Sequence, residues 1–180
     1  MQNNLIFQKN FIYLTLTLFL ASVFLIFNFQ TAYSQNPNVS YLDVNETSPV
    51  SKFSVAAWFK TSTNYKSDAF IVNKPGASDN LNYGIWMTSA EKLRGGFETS
   101  GGSPMYATSP QSYSDGMWHY VSVTYDGSVI ILYVDGVQIA TKKTTGSPDT
   151  GDEPVRVGAD STALGDYFIG NVDEIRVWNV

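Results

Sequence analysis

The chain has 180 residues, of which 43% are hydrophobic and 15% are charged, so it is long enough for one ordinary domain with a single core. Lys and Arg number 11 against 16 Asp and Glu, and the formal net charge of −5 argues against nucleic-acid binding because such a surface repels phosphate backbones. The absence of cysteine excludes disulfide bridges and, with a single histidine, argues against a zinc site.

The first 34 residues have the composition of a secretory signal peptide. Lys9 is their only charged residue, a mainly apolar run of 19 residues follows over 11–29, and Ala32 and Ser34 place small side chains where a signal peptidase requires them. We therefore expect cleavage after Ser34 and a mature domain over 35–180 that is secreted or held at the cell surface. The alternative is an uncleaved anchor, since the same run can cross a bilayer, and only this segment would then contact the membrane.

From residue 39 onwards, extended segments alternate with clusters of Gly, Ser, Asp and Pro, and the apolar residues do not follow the periodicity of a helix. In one segment, apolar side chains occupy every second position from Phe53 to Phe59, as in a strand with one face on a core. The pattern predicts strands over 39–44, 52–60, 69–73, 82–88, 92–99, 117–125, 129–134, 137–142, 154–158 and 167–178. The stretch 100–114 is predicted to be an ordered loop. Many short strands indicate two stacked antiparallel sheets or a barrel.

The clearest pattern runs from Trp118 to Ala140, where three apolar strands are separated by two short turns. The first turn is the Asp-Gly-Ser sequence at 126–128, and the second is Asp135-Gly136. A two-residue type I′ turn needs positive φ at both central positions, which Asp tolerates and Gly adopts freely. The stretch therefore predicts two consecutive hairpins.

Three segments resemble a known family. They are KFSVAAWFKTS at 52–62, DGMWHYVSVTYDGSVIILYVDGVQIAT at 115–141, and FIGNVDEIRVWN at 168–179. With these motifs the chain resembles the laminin-G-like jelly roll of the concanavalin A-like lectin and glucanase superfamily. The resemblance implies an all-β fold, a two-sheet antiparallel β-sandwich in which the first and last strands pair as neighbours.

The resemblance also implies a class of function. Members of the family mostly bind glycans, proteins or matrix components, and some hold one Ca²⁺ at the rim of the sandwich. The superfamily includes glycoside hydrolases as well, so the site has to be argued from its own residues.

The residues give no support for catalysis. A glycosidase needs two carboxylates about 5 to 10 Å apart. Asp173 and Glu174 are neighbours on a predicted strand, so their side chains are expected on opposite faces. The single histidine, His119, alternates with Val121 and Val123, which indicates a partly buried strand residue rather than a catalytic base. We expect a protein that is not an enzyme.

Calcium is the one cofactor that the sequence suggests. Ca²⁺ takes six to eight oxygen ligands, which rim loops can supply jointly. Asp79 and Asn80 lie in one predicted loop, and Asp160 and Asp166 lie in another that the resemblance brings towards the same rim. No local motif fixes these ligands, and solvated loop acids are the alternative interpretation.

Exposed aromatic rings are the candidates for sugar binding, because a pyranose stacks its apolar face on such a ring. Trp58 and Trp86 are predicted on the outer surface of the sandwich, and Tyr106 and Tyr113 in the loop 100–114. The alternative is that Trp58 and Trp86 fill a secondary core beneath folded-over loops.

These observations favour a secreted or cell-surface recognition module that binds a glycan or an extracellular protein. A second possibility is a structural or adhesive element of the cell envelope without a soluble ligand, which a large exposed apolar patch would favour. A glycoside hydrolase is a remote third possibility, which pairs of acidic residues that converge in a cleft would favour.

Overall fold

The fold is described from a computed structural model, which covers residues 42–44, 49–77, 80–160 and 166–179. The predicted signal peptide lies outside these residues, and so does Asp79. Within the described ranges, no helix has the length and apolar character that a transmembrane span requires.

The described residues form eleven strands and no helix. The strands are β1 Leu42–Val44, β2 Phe53–Lys60, β3 Ala69–Pro75, β4 Leu81–Met87, β5 Lys92–Glu98, β6 Pro104–Ser112, β7 Trp118–Tyr125, β8 Val129–Val134, β9 Val137–Lys143, β10 Val155–Val157 and β11 Asn171–Asn179.

The strands make two antiparallel sheets. One has six strands in the order β1-β10-β3-β4-β5-β6, and the other has five in the order β11-β2-β7-β8-β9. Each sheet buries one face against the other, which confirms the predicted two-layer sandwich and rules out the barrel for the described residues.

The core lies between the sheets and follows the alternation seen in the sequence. Phe53 of β2 is fully buried, and its ring lies 5.5 Å from that of Tyr83 and 6.4 Å from that of Phe97, measured between centroids. Tyr83 and Phe97 belong to the six-stranded sheet, so the contacts join the layers. Burial of one such side chain contributes roughly 1.5–3 kcal/mol. The outer faces of the two sheets point away from this core.

The two predicted hairpins are present. Strand β7 pairs with β8 and β8 with β9, and Asp135 and Gly136 have φ values of 52° and 79° in the second turn. In the first turn, the Asp126 carboxylate accepts hydrogen bonds from the backbone amides of Ser128 and Val129 at 2.8 and 2.9 Å. Both turns have the geometry that their residue types favour.

The predicted loop 100–114 is wrong, because Pro104–Ser112 is a nine-residue strand. Its prolines and serines hide the strand pattern, since Pro is depleted in sheet interiors. Strand β6 stands at the edge of the six-stranded sheet, where Pro104 and Pro110 are tolerated because one side of the strand has no partner in its sheet.

The expected pairing of the first and last strands is also wrong for the described residues. Strand β1 pairs with β10 in the six-stranded sheet, whereas β11 pairs with β2 in the other. The register of β11 with β2 sets Val177 opposite Val55, and both side chains are buried in the core. The first and last described strands therefore lie in different layers.

Candidate functional site

The outer face of the six-stranded sheet carries two rows of cross-strand neighbours. The first row is Phe70, Trp86, Arg94 and Thr108, and the second is Asn73, Gly84, Gly96 and Tyr106. The two glycines have no side chains, so the second row has bulky groups only at its ends. A recess lies on this face, and Asn73, Trp86 and Tyr106 are among the residues that line it.

The recess has a volume of about 210 Å³. Its walls combine carboxylates with aromatic rings, namely those of Asp68, Glu98, Asp160, Phe70, Trp86 and Tyr106. Small-molecule pockets typically measure roughly 300–1,000 Å³. We call this recess the outer-face groove, and its size suits one sugar ring rather than a long chain.

An aromatic cluster forms the floor of the groove. The Trp86 indole is 1% exposed, stacks on Phe70 with ring centroids 5.3 Å apart, and meets the Tyr106 ring edge to face at 4.7 Å. Its Nε1 donates a hydrogen bond to Asp68 Oδ2 at 2.8 Å. Trp86 therefore holds the floor in place, while the half-buried ring of Tyr106 offers the more open surface.

Arg94 covers the edge of this cluster. Its guanidinium carbon lies 5.8 Å from the centroid of the Trp86 ring and 5.6 Å from that of Tyr106, which are cation–π distances. Nη1 lies 3.7 Å from Asp68, and Nε donates to Thr108 Oγ1 at 3.2 Å. The positive charge of Arg94 is thus committed to groups of the protein.

Tyr106 is fixed at its other end by Glu98. The Tyr106 hydroxyl donates to Glu98 Oε1, and the backbone amide of Leu81 donates to Oε2 at 3.2 Å. Burial, followed by this hydrogen bond and the charge of Glu98, raises the pKa of Tyr106. The hydroxyl therefore remains protonated at neutral pH and keeps donating to the carboxylate.

Of the four aromatic residues predicted to bind a ligand, only Trp86 and Tyr106 come together. Trp58 lies on the outer face of the opposite sheet, 36% exposed and with its ring 5.3 Å from that of Tyr120. Tyr113 is 7% exposed and packs against His119, with ring centroids 5.2 Å apart. The fold separates Trp58 from Trp86 by the full thickness of the sandwich.

The residues predicted to bind calcium are partly brought together. Asn80 and Asp160 both line the outer-face groove. Asp166 is not among the lining residues, although its carbonyl accepts the backbone amide of the groove residue Phe70 at 3.0 Å. Asp79 is outside the described residues. Over the described ranges, no three His, Cys, Asp or Glu side chains cluster so that they could hold a metal ion.

Asp173 and Glu174 do not follow the predicted alternation. A bulge between Asp173 and Arg176 interrupts the register of β11 with β2, and Glu174 has a φ of 47°. Both side chains are exposed, and Glu174 Oε2 lies 2.9 Å from Arg176 Nη2. The expected opposite projection fails because of the bulge, and the pair lies apart from the groove.

Sequence reasoning missed Asp68 and Glu98 as groove residues. Asp68 directly precedes β3 and Glu98 ends β5, so the two carboxylates converge through strand pairing rather than through sequence spacing. The position of Glu98 at the end of a predicted strand was the only feature of the sequence that could have indicated a groove residue.

His119 is held by two carboxylates at one end of the sandwich. Its Nδ1 lies 2.7 Å from Asp135 Oδ2, and its Nε2 lies 3.2 Å from Asp115. Burial opposes the charged ring, but hydrogen bonds to Asp135 and Asp115 outweigh it and raise the pKa of His119. As the sequence indicated, it is a buried strand residue, and here it joins two loops.

Comparisons with known proteins agree with this architecture. A sequence profile described as "Concanavalin A-like lectin/glucanases superfamily" matches residues 34–180. No curated protein sequence matches the chain.

Several solved structures share the fold. The heptameric SAP-like pentraxin of Limulus polyphemus is 19% identical with a TM-score of 0.60, over 84% of this chain and 74% of the pentraxin. The LG4-5 domains of the mouse laminin alpha1 chain are 20% identical with a TM-score of 0.58, over 76% of this chain and only 38% of that fragment. The CBM40 module of the Ruminococcus gnavus IT-sialidase, bound to alpha2,3 sialyllactose, is 16% identical with a TM-score of 0.60, over 73% of this chain and 77% of the module.

Proposed function

This chain belongs to a laminin-G family of the concanavalin A-like lectin/glucanases superfamily, and from that premise we propose that it is a recognition module that binds a saccharide in the outer-face groove. The observation that carries the proposal is the half-buried Tyr106 ring beside a polar recess of about 210 Å³. A pyranose presents an apolar face to such a ring and hydroxyl groups to the walls.

The groove supplies acceptors for those hydroxyl groups. The carboxylates of Asp68, Glu98 and Asp160 line it, together with the amides of Asn73 and Asn80. Carboxylates accept hydrogen bonds and amides both accept and donate them, which suits a ligand rich in hydroxyl groups. The proposal places the module outside the cytoplasm, in line with the predicted signal peptide.

We propose binding without hydrolysis. Three carboxylates line the groove, and a glycosidase would require two of them to converge on one sugar linkage. Two of them hold the fold: Asp68 accepts the Trp86 indole hydrogen bond, and Glu98 accepts from Tyr106 and from the Leu81 amide. A carboxylate committed in this way is poorly placed to exchange protons with a glycosidic oxygen.

A second candidate function rests on the opposite face. On the five-stranded sheet, Trp58 pairs with Tyr120 and Lys60 with Trp118, so two exposed tryptophans project from neighbouring strands. Trp118 is 45% exposed, and nearby Met117 is 60% exposed. Exposed apolar side chains of this kind favour a contact with another protein, as in a structural or adhesive element of the cell envelope.

A glycan array probed with the purified protein tests the first candidate. We expect hits that are lost in Tyr106→Ala and kept in Trp58→Ala, because only the first change alters the groove. The array is run with calcium and with a chelator, since Asn80 and Asp160 line the same recess. Hits that survive Tyr106→Ala and disappear in Trp58→Ala would move the site to the opposite face.

A further inference from the structure

The charged side chains in the walls of the outer-face groove all have one sign. Asp68, Glu98 and Asp160 contribute carboxylates, and no Lys, Arg or His is among the described residues that line it. A recess bounded by low-dielectric protein focuses such charge, so its potential is negative where a ligand would sit.

Two arginines lie beside these walls, and both are engaged with groups of the protein. Arg94 lies 3.7 Å from Asp68 and against the Trp86 and Tyr106 rings. Arg156 Nη1 donates to the carbonyl oxygen of Asp160 at 3.1 Å. Among the described residues that line the recess none is a cation, so an acidic ligand would have to compete with Asp68 for Arg94.

Lys74, near the end of β3, is a further base of the six-stranded sheet. Its ammonium is buried and donates to the carbonyl oxygens of Pro75 and Gly151 at 3.1 and 2.7 Å. These bonds hold it between the end of β3 and the loop that precedes β10, and it does not line the groove.

The hydrogen-bonding chemistry leads to the same conclusion as the charge. An ionised carboxylate only accepts hydrogen bonds. A sugar hydroxyl can donate to it, whereas the carboxylate or sulfate of an acidic sugar brings only acceptors and a second negative charge. The acidic group of such a sugar would thus find no hydrogen-bond donor on the wall carboxylates, which is costly in a partly desolvated site.

We propose that the outer-face groove takes uncharged saccharides and rejects acidic ones. The inference rests on the proposed function and names its ligand class as neutral sugars whose hydroxyl groups donate to the wall carboxylates. It separates this chain from the Ruminococcus gnavus CBM40 module, which shares the fold and whose structure holds alpha2,3 sialyllactose.

The test is a glycan array of matched pairs, in which each neutral glycan is printed beside its sialylated, sulfated or uronate counterpart. Glycans whose binding is lost in Tyr106→Ala are scored as groove ligands. We expect these to be neutral, with at least about tenfold weaker binding of each acidic counterpart, as expected for one additional unfavourable charge contact.

Asp68→Asn combined with Asp160→Asn removes two charges while keeping a side-chain oxygen at each position. The neutral-to-acidic affinity ratio is expected to fall severalfold in this variant. Asp173→Asn is the matched control, because it removes a carboxylate from the exposed surface of the other sheet and should leave the ratio unchanged.

The outcomes separate the two proposals. Acidic glycans that bind as tightly as their neutral partners, and that need Tyr106, would overturn the charge selection while leaving saccharide binding intact. An array without any Tyr106-dependent ligand would overturn saccharide binding in the groove, and the charge selection with it.

Discussion

The rings of Trp86 and Tyr106 meet edge to face, with centroids 4.7 Å apart, although their strands are not neighbours. Strand β5 runs between β4 and β6, and its Gly96 pairs with Tyr106 on one side and with Gly84 on the other. The Tyr106 ring therefore reaches across β5 to contact Trp86. This contact between non-adjacent strands creates the floor of the groove.

Two substitutions of Tyr106 should distinguish the contribution of its ring to saccharide binding from that of its hydroxyl group. Tyr106→Ala removes the stacking surface and is expected to weaken saccharide binding at least about tenfold. Tyr106→Phe keeps the ring and loses only the hydrogen bond to Glu98, so binding should stay within about threefold of wild type. Titration calorimetry with an array hit measures both variants. Equal losses in the two would mean that the hydroxyl, not the ring, carries recognition.

Substitution of Gly96 should destabilise the sheet. A Cβ at this position would lie 2.0 Å from the carbonyl oxygen of Met105, a main-chain atom that can move only with its strand. We expect Gly96→Ala to lower the free energy of unfolding by roughly 2–4 kcal/mol, measured by urea denaturation.

Gly101→Ala is the matched control for this change. Its added Cβ would meet only a Thr99 side-chain atom at 4.0 Å, so we expect a change within about 0.5 kcal/mol. Equal effects of the two substitutions would show that the close approach at Gly96 is not a constraint.

Stability should depend on pH through His119. Its raised pKa means that the folded chain holds the proton more tightly than the unfolded chain, whose histidine pKa is about 6.5. The stabilisation is complete below that unfolded value and is lost as pH rises through the folded pKa. The melting temperature of the wild-type protein should therefore fall as the pH rises from about 6.5 through the folded-state pKa of His119, and it should fall less in His119→Gln.

Asp115 acts at the other end of the pH range. A hydrogen bond from the backbone amide of Met117, together with His119, lowers the pKa of Asp115. The ionised Asp115 carboxylate stabilises the fold at any pH above its unfolded-state pKa, and this stabilisation is lost as the pH falls through its folded-state pKa. Asp115 therefore does not contribute to the loss of stability on the alkaline side. An unchanged alkaline slope in His119→Gln would exclude His119 as its source.

The opposite face should be independent of the groove. Trp58→Ala and Trp118→Ser remove exposed rings from the five-stranded sheet, so saccharide binding is expected to stay within about twofold of wild type. If this face contacts other copies of the chain, both changes should reduce self-association measured by sedimentation velocity. A protein that is monomeric at all concentrations, with or without these rings, would argue against self-association through this face.

The sequence predicted the sandwich where side-chain alternation was strong. Strand β2 was expected over 52–60 and spans Phe53–Lys60, and strand β8 was expected and found over Val129–Val134. Such strands are buried mainly on one face, so apolar and more polar residues alternate along their sequence. Strand β6 was missed because it is an edge strand rich in Pro and Ser, and it is the strand that carries Tyr106.

The candidate site was less predictable because it depends on register. Trp58 and Trp86 both looked like surface aromatics, yet Trp86 is buried and the two lie on opposite sheets. Asp68, Glu98 and Asp160 come from three distant parts of the chain, and the strand order of the six-stranded sheet brings them to one recess. No local spacing encodes that convergence, so pairing had to be known before the groove could be recognised.

The most direct measurement of saccharide binding at this face is a chemical-shift titration of the isotope-labelled protein with a neutral array hit. We predict that the backbone amides of Gly84, Gly96 and Tyr106 shift with a single saturating dependence on ligand, while those of Trp58 and Trp118 stay in place. Shifts confined to Trp58, Trp118 and their neighbours would contradict the account and place recognition on the five-stranded sheet.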